Sequence, residues 1–203
     1  SKRPCIALLT DFGQQDAYVA IMKGLILKSC PDAQFIDISH LVPTGDIHHA
    51  AYQLKYAYTY FPEQTIFLVV VDPGVGSSRK PIAVQTDQYF FIAPDNGVLS
   101  WALEESQIKT VVHLHQYDKN TLSNTFHGRD IFAPCAARLL QSEPLVQLGH
   151  VIQNYQALDW PRPMQDKHSI TGEIIFADHF GNLITNVPKS MIMNLNKNMD
   201  QIN

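Results

Sequence analysis

The sequence predicts an α/β protein. A large N-terminal domain with a central, parallel-rich sheet flanked by helices is followed by the start of a small β domain. Three observations carry this reading. Strand-like and helix-like segments alternate over the first two-thirds of the 203 residues, the arrangement that builds parallel sheets with covering helices. Thr65 to Val71 is continuous, apolar and β-branched, as a strand buried on both faces must be. Beyond Lys167 helical spacing gives way to two short strand-like runs joined by a turn.

Each element has its own signal. Ile6-Ala7-Leu8-Leu9 is an apolar run ending at Thr10-Asp11-Phe12-Gly13. Asp16 to Ser29 places apolar groups at Tyr18, Val19, Met22, Leu25 and Ile26, which is helical spacing, and Pro31-Asp32 stops it. Phe35 to Ile38 reads as a strand. Asp46 to Tyr60 reads as a helix, with Asp46 as N-cap and Pro62 just past its end. Pro81 to Thr86 and Tyr89 to Ala93 form a pair turned at Asp87-Gln88. Val98 to Glu105 is helical, Thr110 to Leu114 a strand, and Ile131 to Gln141 helical. Asn154 to Lys167, with Trp160-Pro161-Arg162-Pro163, lacks periodicity and reads as an ordered linker. Ile170 to Ala177 and Asn182 to Val187 are two strands turned at Asp178 to Gly181, and the Asn/Gln-rich tail from Met191 shows no closing strand. The expected division is 1–165 for the α/β domain and 166–203 for a β domain that stops unfinished.

Composition excludes several classes. The formal net charge is −4, with 17% charged and 45% hydrophobic residues. That is a globular composition without the basic footprint of a nucleic-acid binder. The longest apolar run, Ile66 to Val71, is far short of the ~20 residues that span a bilayer. The N-terminus has no signal-peptide pattern. Three widely spaced cysteines, Cys5, Cys30 and Cys135, make neither a metal motif nor a disulfide framework and suit a reducing cytoplasm.

Polar clusters recur directly after strands, where open α/β sheets gather ligand-binding residues. Asp11 follows the first strand. A carboxylate there can grip ribose hydroxyls or cap a helix. Asp72-Pro73-Gly74-Val75-Gly76-Ser77-Ser78-Arg79 follows the central strand. It matches neither phosphate-binding glycine pattern. Its acid and guanidinium can pair with each other or jointly hold a polar molecule. His127, just before a helix, suits a general base or a capping role. Arg129 and Asp130 read as a local pair and a helix-start acid. The remaining histidines show no zinc spacing. Asp11-Phe12-Gly13 is not a kinase motif, since no Gly-rich loop, strand lysine or catalytic loop precedes it.

Six motifs stand in order: Thr10-Asp11-Phe12-Gly13, Met22-Lys23-Gly24, Val71-Asp72-Pro73-Gly74-Val75-Gly76, Ala93-Pro94-Asp95-Asn96-Gly97, Thr125-Phe126-His127-Gly128-Arg129-Asp130, and Asp178-x-Phe180-Gly181-Asn182-Leu183-Ile184-Thr185-Asn186. The series, from residue 6 to about residue 190, resembles the S-adenosyl-L-methionine (SAM) hydrolase family, also called SAM hydroxide adenosyltransferases, relatives of the SAM-dependent fluorinase and chlorinase. The resemblance implies attack of water or hydroxide on ribose C5′ of SAM, giving adenosine and methionine. It places the water-activating set on Asp72, Arg79 and His127 and the ribose-gripping acid on Asp11. Asn182 matches the adenine-reading asparagine and Asp178 an acid near methionine, while Asp16 helps hold the methionine ammonium. Phe126 and Gly128 fall in the same binding region. The substrate needs no cofactor, because its sulfonium is already an activated leaving group. Relatives are homotrimers with the site at the subunit interface.

The branch follows from Asp72; Gly128 alone does not decide it, since chlorinating relatives also have a small residue there. Halogenating relatives carry tyrosine in place of Asp72, and the fluorinase carries a halide-contacting serine in place of Gly128. A carboxylate repels a halide but accepts a hydrogen bond from water. Relatives also continue past the last hairpin into a small C-terminal β-barrel, whereas this sequence ends at Asn203. Without that region the expectation admits a SAM or adenosine binder with little activity, and a halogenase stands as a separate alternative to the hydrolase.

Overall fold

The computed structural model describes residues 5–74, 79–115, 126–159 and 161–200. The chain forms two compact units, Ser1–Leu158 and Asp159–Asn203. The first contains β1 (Cys5–Thr10), α1 (Tyr18–Ser29), β2 (Gln34–Ser39), α2 (Ile47–Ala57), β3 (Ile66–Val70), β4 (Pro81–Thr86), β5 (Phe90–Pro94), α3 (Ser100–Leu103), β6 (Ile108–Leu114), α4 (Ala133–Leu140) and β7 (Gly149–Val151).

These strands make one sheet in the order β2-β1-β3-β5-β4-β6-β7. The half from β2 to β5 is parallel, and the half from β5 to β7 is antiparallel. The change of sense sits where the connections shorten. The turn at Asp87-Gln88 can join only antiparallel neighbours, because a parallel return needs a crossover of a dozen or more residues. The Thr86 hydroxyl holds that turn by accepting from the Gln88 and Tyr89 N–H groups.

The strand pleat sorts the core into two layers. Ile6 and Leu8 of β1 pack with Met22 and Ile26 of α1 and with the apolar face of α4. Ala7 and Leu9 pack on the other side with Ala50 and Leu54 of α2 and with Leu99, Ala102 and Leu103. Every residue of β1 and β3 is buried, so the sheet is covered on both faces. After β1 the chain moves outward to β2, then returns across β1 to lay down β3. The crevice between β1 and β3 is therefore a topological switch point, open at the carboxyl ends of the strands.

Several elements differ from expectation. The helix expected over Val98 to Glu105 is a single α-turn, Ser100–Leu103, buried throughout. β7 is an unforeseen edge strand of three residues. The second unit holds two short antiparallel hairpins: β8 (Met164–Gln165) with β9 (Ile170–Thr171), and β10 (Ile174–Ala177) with β11 (Leu183–Thr185). The single strand expected over Ile170 to Ala177 is thus divided, and β8 starts inside the expected linker. A helix, α5 (Lys189–Asp200), follows in the Asn-rich tail.

Candidate active site

Parallel pairing brings Thr10 of β1 opposite Val70 of β3. Asp11 and Asp72 therefore emerge side by side at the switch point. The Asp11 carboxylate accepts the Gly45 N–H at 2.8 Å. Gly45 takes a left-handed φ of +71° and sits so close to Pro73 that a Cβ would lie 2.7 Å from the proline's own. One glycine thus seats the Asp11 loop against the Asp72 loop. Sequence reasoning missed it, although Pro43-Thr44-Gly45-Asp46 carries a turn signature.

Thr10 and His40 close the crevice floor. Both are buried, and the Thr10 hydroxyl meets His40 Nδ1 at 2.8 Å. His40 Nε2 faces Asp37 at 3.0 Å, and Lys23 binds the other Asp37 oxygen at 2.7 Å. Burial pushes the Asp37 carboxyl up, but the hydrogen bonds from Lys23 and His40 hold it below its ordinary value.

Asp72 accepts the Gly74 N–H at 2.9 Å and the Arg79 guanidinium at 3.2 Å on one oxygen. The acid and base flanking this loop do pair. Its Asp72 side chain is 14% exposed and that of Arg79 39%, so the pair faces solvent on the guanidinium side. Burial pushes the Asp11 carboxyl above its ordinary value; the Gly45 N–H partly offsets this, and the neighbouring Asp72 charge adds to the push. Two carboxylates held together at one crevice favour a cationic ligand.

A wall of aromatic rings follows Asp11. Phe12, Tyr18 and Phe126 lie with ring centroids 5.0 to 5.9 Å apart, and the Arg129 guanidinium lies 5.8 Å from the Phe126 centroid. Gly128 opens a π-turn, Gly128–Phe132, that leads into α4; such turns are frequent at functional sites. A Cβ on Gly128 would lie 2.8 Å from the Phe126 ring and 2.9 Å from Met22 Sδ. Gly128→Ser is therefore expected to overpack this contact and cost about 1–3 kcal/mol, read as a lower urea midpoint at unchanged slope. An unchanged midpoint would mean that Phe126 and Met22 yield freely.

The expected site residues do not all meet. His127 is half-buried beside the π-turn, and among the described residues no hydrogen bond or ion pair joins it to Asp72 or Arg79. Arg129 grips Asp130 with two hydrogen bonds, as the local pair expected. Asp16 is exposed ahead of α1. Asp178 and Asn182 belong to the second unit, where they hold the β10–β11 turn. Asp178 accepts from the Asn182 side chain and from the Phe180 and Asn182 N–H groups at 2.8 to 2.9 Å. Those bonds, the Asn182 side chain first, keep its carboxyl below the ordinary value. Among the described residues no group of three His, Cys, Asp or Glu side chains is arranged to hold a metal.

A doubly covered α/β sheet with two acids at its switch point, Asp72 bound to a guanidinium and Asp11 followed by an aromatic wall, has the architecture in which α/β proteins take small-molecule ligands beyond their strand ends. Comparison with known proteins makes this particular. The chain belongs to the SAM hydroxide adenosyltransferase family: residues 6–149 match the model of the family's N-terminal domain and residues 172–202 that of its C-terminal domain. It is 38% identical over 185 residues to the (R)-S-adenosyl-L-methionine hydrolase of Salinispora tropica, covering 89% of this chain and 70% of that protein. The fluorinase of an Actinoplanes species is more distant, at 26% identity over 221 residues, 92% of this chain and 72% of the fluorinase. The crystal structure of an uncharacterized conserved protein from Thermotoga maritima superposes with a TM-score of 0.87 at 40% identity, over 94% of this chain and 74% of that one.

Proposed function

We propose that the chain hydrolyses S-adenosyl-L-methionine to adenosine and L-methionine. The observation that carries this reading is the Asp72 carboxylate, two residues past the end of β3, fixed by Gly74 and Arg79 beside a second acid. A carboxylate there repels a halide and accepts a hydrogen bond from water. Hydrolase names among relatives at 33–38% identity support it.

Water attacks ribose C5′. The O–C5′ bond forms as the C5′–S bond breaks, and the bonding pair leaves on sulfur as the neutral thioether of methionine. The water proton passes to Asp72 or His127. Arg79 stabilises the developing hydroxide, and placement of this weak nucleophile in line with sulfur lowers the barrier. Asp11 holds the ribose hydroxyls and Asp16 the methionine ammonium, while Phe126 and Gly128 line the ligand. The sulfonium supplies its own activation, so this reading calls for no cofactor.

We further propose a homotrimer in the cytoplasm with the site at the subunit interface. There Asp178 of the partner subunit faces methionine and Asn182 of the partner subunit reads adenine. Three free cysteines fit that compartment. No helix among the described residues is long and apolar enough to cross a membrane.

Incubation with SAM, with and without chloride or fluoride, followed by chromatography tests the reaction. Adenosine and methionine in equal amounts, unaffected by halide, are expected. A 5′-halo-5′-deoxyadenosine peak would overturn the hydrolase reading, and tight SAM binding with no product would reduce the chain to a binder.

A further inference from the structure

The motif Asp95-Asn96-Gly97 has no part in the chemistry above, yet it touches both ends of the loop that bears it. Asn96 is 8% exposed. Its side-chain Nδ2–H donates to the Val71 carbonyl at 2.8 Å, and its Oδ1 accepts the Val98 N–H at 3.1 Å. The Asp95 N–H donates to the Lys80 carbonyl at 2.9 Å. Val71 immediately precedes Asp72, and Lys80 immediately follows Arg79. One dipeptide therefore grips the chain just before the acid and just after the guanidinium.

We infer that Asn96 is a positioning residue, which with the Asp95 backbone clamps the loop so that Asp72 and Arg79 stay paired and aimed. The inference rests on the reading that this pair holds the attacking water. Only a side chain with a donor and an acceptor on one short fork can serve Val71 and Val98 together. Aspartate lacks the donor and leucine lacks both.

A cavity of about 490 Å³, lined by Arg79, Lys80, Asp95, Asn96, His113 and Gln156, borders the guanidinium end. The clamp is itself anchored. Asp95 Oδ1 accepts the Gln156 N–H at 2.7 Å, and the Ser100 hydroxyl accepts the Leu158 N–H at 2.8 Å. Gly97, at φ +90°, lets Leu158 approach so closely that a Cβ would lie 2.8 Å from its Cγ.

Two readouts on Asn96→Ala and Asn96→Ser test this. The first is hydrogen exchange at the amides from Val71 to Gly74, which reports the clamp without reference to any reaction. Asn96→Ala is expected to speed exchange there by about tenfold or more, with serine intermediate. The second is turnover per SAM-binding site, the site count taken from calorimetric stoichiometry so that loss of folded protein does not count. A displaced pair is expected to lower kcat by about 10- to 100-fold while KM stays within about threefold, and serine, which keeps a hydroxyl donor, should restore part of it. Unchanged exchange in the alanine variant, or unchanged kcat per site beside faster exchange, overturns the inference. Faster exchange in a chain whose parent form turns over no SAM leaves the clamp standing and removes the hydrolase reading instead. If alanine fails to fold, the same limits apply to serine.

Discussion

Asp72→Ala is expected to leave the chain folded and to cut adenosine release from SAM by about 10²–10⁴-fold, the range for loss of a positioned acid–base group. Folding should survive because, among the described residues, the carboxylate bonds only Gly74 and Arg79, beyond the carboxyl end of β3 and outside the strand ladder. Exposed ion pairs contribute about 0–1 kcal/mol, and the half-exposed Arg79 can be hydrated when its partner is gone. Asp72→Asn refines the result. It keeps the shape and an acceptor for the Gly74 N–H but loses the charge. If asparagine falls as far as alanine, the charge on Asp72 acts in the step; if it keeps most of the rate, Asp72 only places the water and His127 takes the proton. Full turnover in Asp72→Ala would end the assignment. Kinetics at saturating SAM, with far-UV circular dichroism as the folding control, give the answer.

Asp11→Asn should move stability and activity in opposite directions. The Asp11 carboxyl is raised first by burial and then, after the Gly45 N–H has partly offset it, by the Asp72 charge. The folded chain therefore binds this proton more tightly than the unfolded chain. Stability falls as pH rises from the unfolded pKa, near 4, through the raised folded value, and above that the whole penalty is in place. Asparagine removes the penalty while its Oδ1 still accepts the Gly45 N–H. A rise in Tm of roughly 2–4 °C per kcal/mol relieved is expected at neutral pH in a chain of this size, vanishing in acid. Asparagine cannot accept two hydroxyl hydrogens as a carboxylate does. Losing one charge-assisted bond, about 1.5–3 kcal/mol, should raise KM for SAM roughly 10- to 100-fold. In the parent chain KM should already climb as pH falls through the raised Asp11 pKa. A lower Tm at neutral pH, or an unchanged KM, would show that Asp11 serves the fold and not the ribose.

Much of this site was legible because its signals are local. β1 and β3 are unbroken apolar runs, so their ends, and with them Asp11 and Asp72, could be found by inspection. Asp46 caps α2 by accepting the His49 N–H, as its place before the helix implied. Elements without a local signal were not legible. β7 is three residues at the sheet edge, paired only through Leu114 to Val112. α3 reads as a longer helix because its neighbours are apolar, yet that apolarity comes from burial on all sides and not from a helical face. α5 lies in an Asn-rich stretch of weak helix propensity.

The sequence by itself determined the α/β class, the doubly buried strand over Thr65 to Val71, and the identity of the acids and the arginine beyond the strands. Composition, periodicity and ordered motifs record these because each depends on residues close together in the chain. Only the tertiary structure decided that Asp11 and Asp72, sixty-one positions apart, share one crevice, that Gly45 locks their loops together, and that Asn96 reaches back to the carbonyl before Asp72. Those relations depend on the strand order β2-β1-β3-β5. That order is chosen by how covered faces pack and connections close, and no short stretch of sequence carries it.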